Sequence, residues 1–208
     1  MSCIGIYGGS FNPIHIGHTR LARNICKAGA VDRVWIMVSP LNPLKKDEAQ
    51  NILPTDLRLE MARLAVERIP SVDVSDFETT LAMPSYTINT MKALAKQFPQ
   101  HQFRIIIGWD NWKRFNQWYK ADEIKRLFDI VVYGRKETQE KKSNGHATVI
   151  IHKTSRDIID LSNSFQFPLY DISSTQIRNA IKNNNIAFAK RWLNPNVLNY
   201  ITANHLFS

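Results

Sequence analysis

The stretch Gly8-Gly9-Ser10-Phe11-Asn12-Pro13-Ile14-His15-Ile16-Gly17-His18 follows a short apolar run from Cys3 to Tyr7. It precedes an amphipathic segment that carries Leu21, Ile25 and Ala28 on one face and ends at Gly29. This reads as strand, glycine loop and helix. Two adjacent glycines allow a positive φ or a close approach of backbone to a ligand, and His15 and His18, three apart at a helix start, can face one point. The helix would aim its amino end, with its partial positive charge, at whatever the loop holds. All three features converge on an anion.

Working outward, Val34 to Val38 gives a second strand, which completes a βαβ unit and makes a parallel sheet the natural continuation. Thr55 can cap a helix carrying Leu57, Met61 and Leu64, Val72 to Val74 is a third strand, and Ser85 or Thr87 can cap a helix carrying Ile88, Met91, Leu94 and Phe98. Phe103 to Ile107 is a continuous apolar run of the kind buried on both faces of a parallel sheet, so it should be central. It ends in Gly108-Trp109-Asp110, at the edge where an open α/β sheet binds ligands. The aromatics Trp112, Phe115, Trp118 and Tyr119 fit either packing or a flat heteroaromatic guest. Further strands are expected at Ile130 to Tyr133, followed by Gly134-Arg135, and at Thr148 to His152. The span Lys136 to His146 reads as an exposed loop, and Asp157 to Phe167 gives no clear pattern. The loop after the second strand brings Lys45 and Lys46 to the ligand edge.

The second informative string is Ile172-Ser173-Ser174-Thr175-Gln176-Ile177-Arg178. With Ser173 as cap, Gln176 completes a capping box and Ile172 with Ile177 the hydrophobic staple. The helix start offers amides, the hydroxyls of Ser174 and Thr175, and Arg178 one turn on to a phosphate. The expected architecture is α/β, a Rossmann-like parallel sheet flanked by helices on both faces, in one domain over 1–208. Helices over about 173–208 pack on it.

The 208 residues carry a formal net charge of +9, which favours anionic partners, either nucleic acid or small phosphorylated ligands. The cations are spread along the chain, without a polybasic tail. No apolar run approaches the about 20 residues of a membrane span, no export signal is expected from the start as read, and Cys3 and Cys26 lack metal or redox spacing. A cytoplasmic protein with buried free thiols is expected, with no membrane partner. Oligomeric state is left open, a homo-oligomer included.

Two helix amino ends, two histidines, loop lysines and arginines at strand ends describe a polyphosphate site. No nucleophile in a motif has a supporting base, so direct in-line phosphoryl transfer fits better than a covalent intermediate. An attacking phosphate monoester, with a second pKa of about 6, is already ionised and needs no general base. His15 and His18 are assigned to electrostatic catalysis. Mg²⁺ should bridge the phosphates, with no dedicated protein cage for it.

The Gly8 to His18 loop and the ISSTQIR string resemble those of the HxGH nucleotidylyltransferases. Pro84-Ser85-Tyr86-Thr87, Gly108-Trp109-Asp110 and Trp118-Tyr119 resemble those of the bacterial nicotinate mononucleotide adenylyltransferases within that superfamily. The resemblance covers nearly the whole chain. It implies AMP transfer from ATP to nicotinate mononucleotide, giving deamido-NAD and pyrophosphate, with no nucleic-acid partner. It implies that Gly8, Gly9, Ser10, Phe11, His15, His18, Gly108, Asp110, Ser173, Ser174, Thr175 and Arg178 meet ATP, with Arg135 at its phosphates. His15, His18 and Arg178 would be catalytic. Lys45, Tyr86, Thr87, Asp110, Trp118 and Tyr119 would meet the mononucleotide, with Trp118 stacked on the pyridine ring. The chain departs from the family at Gly134-Arg135-Lys136, where many relatives have Arg-Pro-Gly, and at Leu44, where a histidine is frequent. The alternatives are a phosphopantetheine adenylyltransferase and, from another class, a non-catalytic nucleic-acid binder.

Overall fold

Val34, Ile36 and Val38 enter one apolar core while Trp35 and Met37 face another. This period-two alternation, the mark of a strand covered on both faces, organises the molecule. The computed structural model describes residues 1–40, 52–134, 148–161, 167–168 and 170–208. Among these, seven strands form one sheet in the order β3-β2-β1-β4-β5-β6-β7. They are β1 (Ser2–Gly9), β2 (Arg33–Val38), β3 (Val72–Ser75), β4 (His101–Gly108), β5 (Asp129–Gly134), β6 (Thr148–His152) and β7 (Ile158–Asp160). The described helices are α1 (Ile16–Lys27), α2 (Thr55–Val66), α3 (Thr87–Gln97), α4 (Trp109–Lys113), α5 (Ala121–Leu127), α6 (Ser174–Lys182), α7 (Ile186–Trp192) and α8 (Pro195–Ala203).

β3 through β5 are parallel, and β4 lies at the middle of the sheet, as its apolar run requires. The sheet is mostly parallel, with β6 and β7 running antiparallel at one edge. A parallel partner needs a crossover that covers a sheet face, and Lys136 to His146 has no apolar stripe with which to cover one. A tight turn in which Lys153 N–H donates to the Asp157 carbonyl at 2.9 Å joins the last two strands. Asp157 to Phe167, which had no clear pattern, thus contributes β7.

One core gathers Tyr7, Ile106 and Val131 from the sheet with Leu21 and Ile25 of α1, Met61 and Ala62 of α2, and Val197 and Ile201 of α8. The other gathers Ile4, Ile6, Ile105 and Ile107 with Ile88 and Leu94 of α3 and Ile124 of α5. The strand order turns back at β1, so the carboxyl ends of β1 and β4 open a crevice between the two helical layers. Among the described residues, no helix is long and apolar enough to cross a membrane.

Two expected caps differ. Pro54, not Thr55, precedes α2, and the Thr55 hydroxyl, already inside the helix, accepts from Arg58 Nη2 at 2.9 Å. Tyr86 precedes α3 in extended backbone, and no side chain caps that helix. Gly29, with φ +73°, follows the end of α1 as expected.

Candidate active site

The first loop is held from three directions. Gly8 and Gly9 lie in β1, and neither needs a positive φ, since Gly29 is the only glycine with one among the described residues. Their value is space: a Cβ on Gly8 would meet nothing within 4 Å, and one on Gly9 would lie 3.0 Å from the Phe11 ring. Phe11 itself takes the left-handed turn, at φ 46°. Behind the loop lies Arg58, 1 % exposed. Its guanidinium donates to the carbonyls of Ser10 (2.7 Å), Ser39 (2.8 Å), Leu53 (2.8 Å) and Pro40 (3.2 Å). It therefore ties the loop to the end of β2 and the start of α2.

From the far end of the chain, Ser174 Oγ donates to the Pro13 carbonyl at 2.8 Å and Arg178 Nη1 to the Asn12 carbonyl at 2.8 Å. The two informative strings, some 160 residues apart, are thus joined directly. Ser173 caps α6 as expected, accepting from the Gln176 N–H at 3.2 Å, while Gln176 Oε1 accepts from Ser173 N–H at 2.7 Å.

His15 and His18 stack with ring centroids 3.7 Å apart at the start of α1. His18 Nδ1 accepts the His15 N–H at 3.2 Å, which leaves the His18 proton on Nε2. Burial lowers the His15 pKa to about 4. Burial, helped by the neighbouring His15, holds His18 well below its ordinary value. Both rings are therefore neutral N–H donors at neutral pH.

Two cavities open along the crevice. The smaller, about 270 Å³, is lined by His15, Gly17, His18, Leu21, Phe167, Pro168, Tyr170, Ile172, Ser173 and Ser174. Arg20 donates a hydrogen bond to the Tyr170 hydroxyl at its rim. The larger, about 470 Å³, is lined by Gly8, Gly9, Gly108, Tyr86, Thr87, Trp118 and Tyr119, with Ser39, Glu78, Thr90, Asn111 and Gln117. Tyr7 and Tyr133 line both. In the larger cavity Tyr86 and Tyr119 face each other at 4.6 Å, and Trp118 has one side against Phe115 at 5.0 Å. The uncapped start of α3 reaches the same wall.

The expected residues therefore divide. His15, His18, Ser173 and Ser174 meet in one cavity, and Gly8, Gly9, Gly108, Tyr86, Thr87, Trp118 and Tyr119 in the other. Ser10 and Phe11 shape the loop, Ser10 through its carbonyl and Phe11 edge-on to His18 at 5.1 Å. Three others lie outside both linings. Asp110 lines neither cavity: its side chain is 92 % exposed in the first turn of α4, 3.9 Å from Lys113. Thr175 and Arg178 also lie outside both linings, because Arg178 is engaged by the Asn12 carbonyl and by Thr175 Oγ1 at 3.2 Å. Lys45 and Arg135, with the loops around them, fall outside the described residues. No group of three or more His, Cys, Asp or Glu able to hold a metal occurs among the described residues.

The sequence reading missed Tyr7, Arg58, Glu78 and Tyr133. Glu78 is buried, accepting from Ser39 Oγ at 2.9 Å and Thr90 Oγ1 at 2.8 Å, and burial raises its pKa against those bonds. No motif marks any of the four. A charged residue inside an apolar helical stripe, as Arg58 is, was the one available signal.

A model of the cytidylyltransferase-like family matches residues 6–180. A Bacteroides fragilis protein named "Probable nicotinate-nucleotide adenylyltransferase" is 40% identical over 177 residues, 85% of this chain and 81% of that protein. One from Flavobacterium johnsoniae with the same name is 36% identical over 205 residues, 98% of each chain. Among solved structures, the Plasmodium falciparum nicotinic acid mononucleotide adenylyltransferase complexed with NaAD superposes with a TM-score of 0.72. It shares 18% sequence identity and covers 100% of this chain and 98% of that one. That likeness speaks for the fold.

Proposed function

We propose that this chain, which belongs to the cytidylyltransferase-like family, transfers AMP from ATP to nicotinate mononucleotide, releasing pyrophosphate and giving deamido-NAD. The observation that carries this reading is the pair of cavities with a common wall, one lined by the histidine pair and the start of α6, the other by Trp118, Tyr119 and Tyr86. The names and coverage of the relatives favour this acceptor over phosphopantetheine and over nucleic-acid binding.

In this reading ATP takes the smaller cavity, its phosphates between the histidine N–H groups, the α1 amino end, and the amides and hydroxyls that open α6. The triphosphate raises the histidine pKa values from their low resting state, so that cation character appears where negative charge accumulates. Arg178 acts here by bracing Asn12 and α6 rather than by reaching the phosphates. The mononucleotide takes the larger cavity, with its ring on the free side of Trp118 and its carboxylate at the open amides of α3, a preference for the acid over the neutral amide. A phosphate oxygen of the mononucleotide attacks the α-phosphorus in line, the bond to the bridging oxygen breaks, and pyrophosphate leaves with that electron pair. Mg²⁺ bound through the ATP phosphates would supply further charge neutralisation there. By the family resemblance, Lys45 would meet the mononucleotide, Arg135 the ATP phosphates and Asp110 both substrates. Free Cys3 and Cys26 suit a reducing cytoplasm.

The test is an acceptor screen with MgATP that follows pyrophosphate. Release should require nicotinate mononucleotide and fall at least about tenfold with the amide. Release with phosphopantetheine alone, or with no acceptor, would overturn the assignment.

A further inference from the structure

Tyr7 ends the apolar run before the glycines, and Tyr133 stands near the end of β5. With β4 between their strands, they nonetheless meet: the two hydroxyls are 3.1 Å apart and the rings lie edge-on at 6.1 Å. Register explains the meeting. Tyr7 pairs with Ile106 and Tyr133 with Gly108, and the alternation of β4 puts Ile106 and Gly108 on the same face as both tyrosines. Because Gly108 has no side chain, the phenol of Tyr133 can cross β4; a Cβ there would come within 3.3 Å of the hydroxyl. Among the described residues, Tyr7 and Tyr133 alone line both cavities.

We propose that the Tyr7 and Tyr133 hydroxyls act as one hydrogen-bond donor to the phosphates at the point of transfer. This rests on the adenylyl-transfer reading above. One substrate in each cavity brings the attacking oxygen and the α-phosphorus together where the cavities adjoin, and that is where the hydroxyl pair sits. In the pair, one O–H donates to the other oxygen, which leaves one proton free for a phosphate oxygen. The phenols neither gain nor lose a proton during transfer; the bond made is mononucleotide oxygen to α-phosphorus, and the bond broken releases pyrophosphate. Burial raises the pKa of both phenols, Tyr7 well above its ordinary value, so both remain protonated donors across the working range. The donor is already fixed by packing before substrate arrives, because Tyr7 also lies edge-on to Phe11 at 5.5 Å.

The test compares Tyr7→Phe, Tyr133→Phe and the double variant at saturating MgATP and nicotinate mononucleotide, with each KM and the unfolding midpoint measured alongside. Either single variant leaves one hydroxyl, so kcat should fall about threefold to tenfold. The double variant should lose about a hundredfold in kcat, at least as much as the two single losses multiplied, with both KM values within about threefold. A purely structural role would move the midpoint and leave kcat of the folded protein alone. A double variant within threefold of the parent overturns the proposal. If the double variant does not fold, two single variants with parental kcat overturn it, and a lowered kcat at unchanged KM in either supports it. A parent that fails to turn over would instead defeat the functional reading itself.

Discussion

His18 illustrates how a single residue can serve structure and chemistry with different atoms. Its Nδ1 accepts the His15 amide and helps open α1, leaving Nε2 to donate into the smaller cavity. Replacing it by alanine should lower turnover at least about a hundredfold, the cost of losing one preorganised donor, while circular dichroism shows the fold intact. Near-parental turnover in a steady-state pyrophosphate assay would remove the histidine from the mechanism. The spacing of the pair could be read from the chain, but not its charge state: the low pKa values come from burial, which no local window reveals.

At the scale of elements, the first loop is a product of its neighbours. Arg58 on α2 offers its donors to four backbone carbonyls, and Asn12 receives the Leu53 N–H at 3.2 Å and the Arg178 guanidinium. Arg58→Met would keep much of the volume and leave those carbonyls without partners, at about 1–3 kcal/mol for each group that water cannot reach. A loss of at least about 3 kcal/mol is expected in urea unfolding, with a raised KM for ATP as the loop loosens. An unchanged midpoint would contradict the bracing role. The α6 start, by contrast, is local: Ser173, Gln176, Ile172 and Ile177 specify it within six residues.

At the scale of the molecule, the buried histidines link stability to pH. His15 binds its proton near pH 4 when folded and near 6.5 when unfolded, so between those values the unfolded chain holds more protons. Stability should therefore fall as pH drops from about 6.5 to about 4, by on the order of 3 kcal/mol from this residue, with no further loss from it below that window. Thermal unfolding across pH 4 to 7 should give a shallower slope for His15→Asn than for the parent, and equal slopes would refute the linkage.

The amino-acid sequence alone determined the α/β class, the central β4, the glycine and histidine loop, and the cap of α6, because each depends on periodicity or on contacts within a few residues. Only the tertiary structure decided that β6 and β7 turn antiparallel, that Arg58 and Glu78 are buried polar centres, that Arg178 braces the loop, and that Tyr7 and Tyr133 share a wall. Those outcomes depend on pairings between segments tens of residues or more apart, on the room left by a glycine on the strand between, and on exclusion of water. A linear reading of the chain contains none of these.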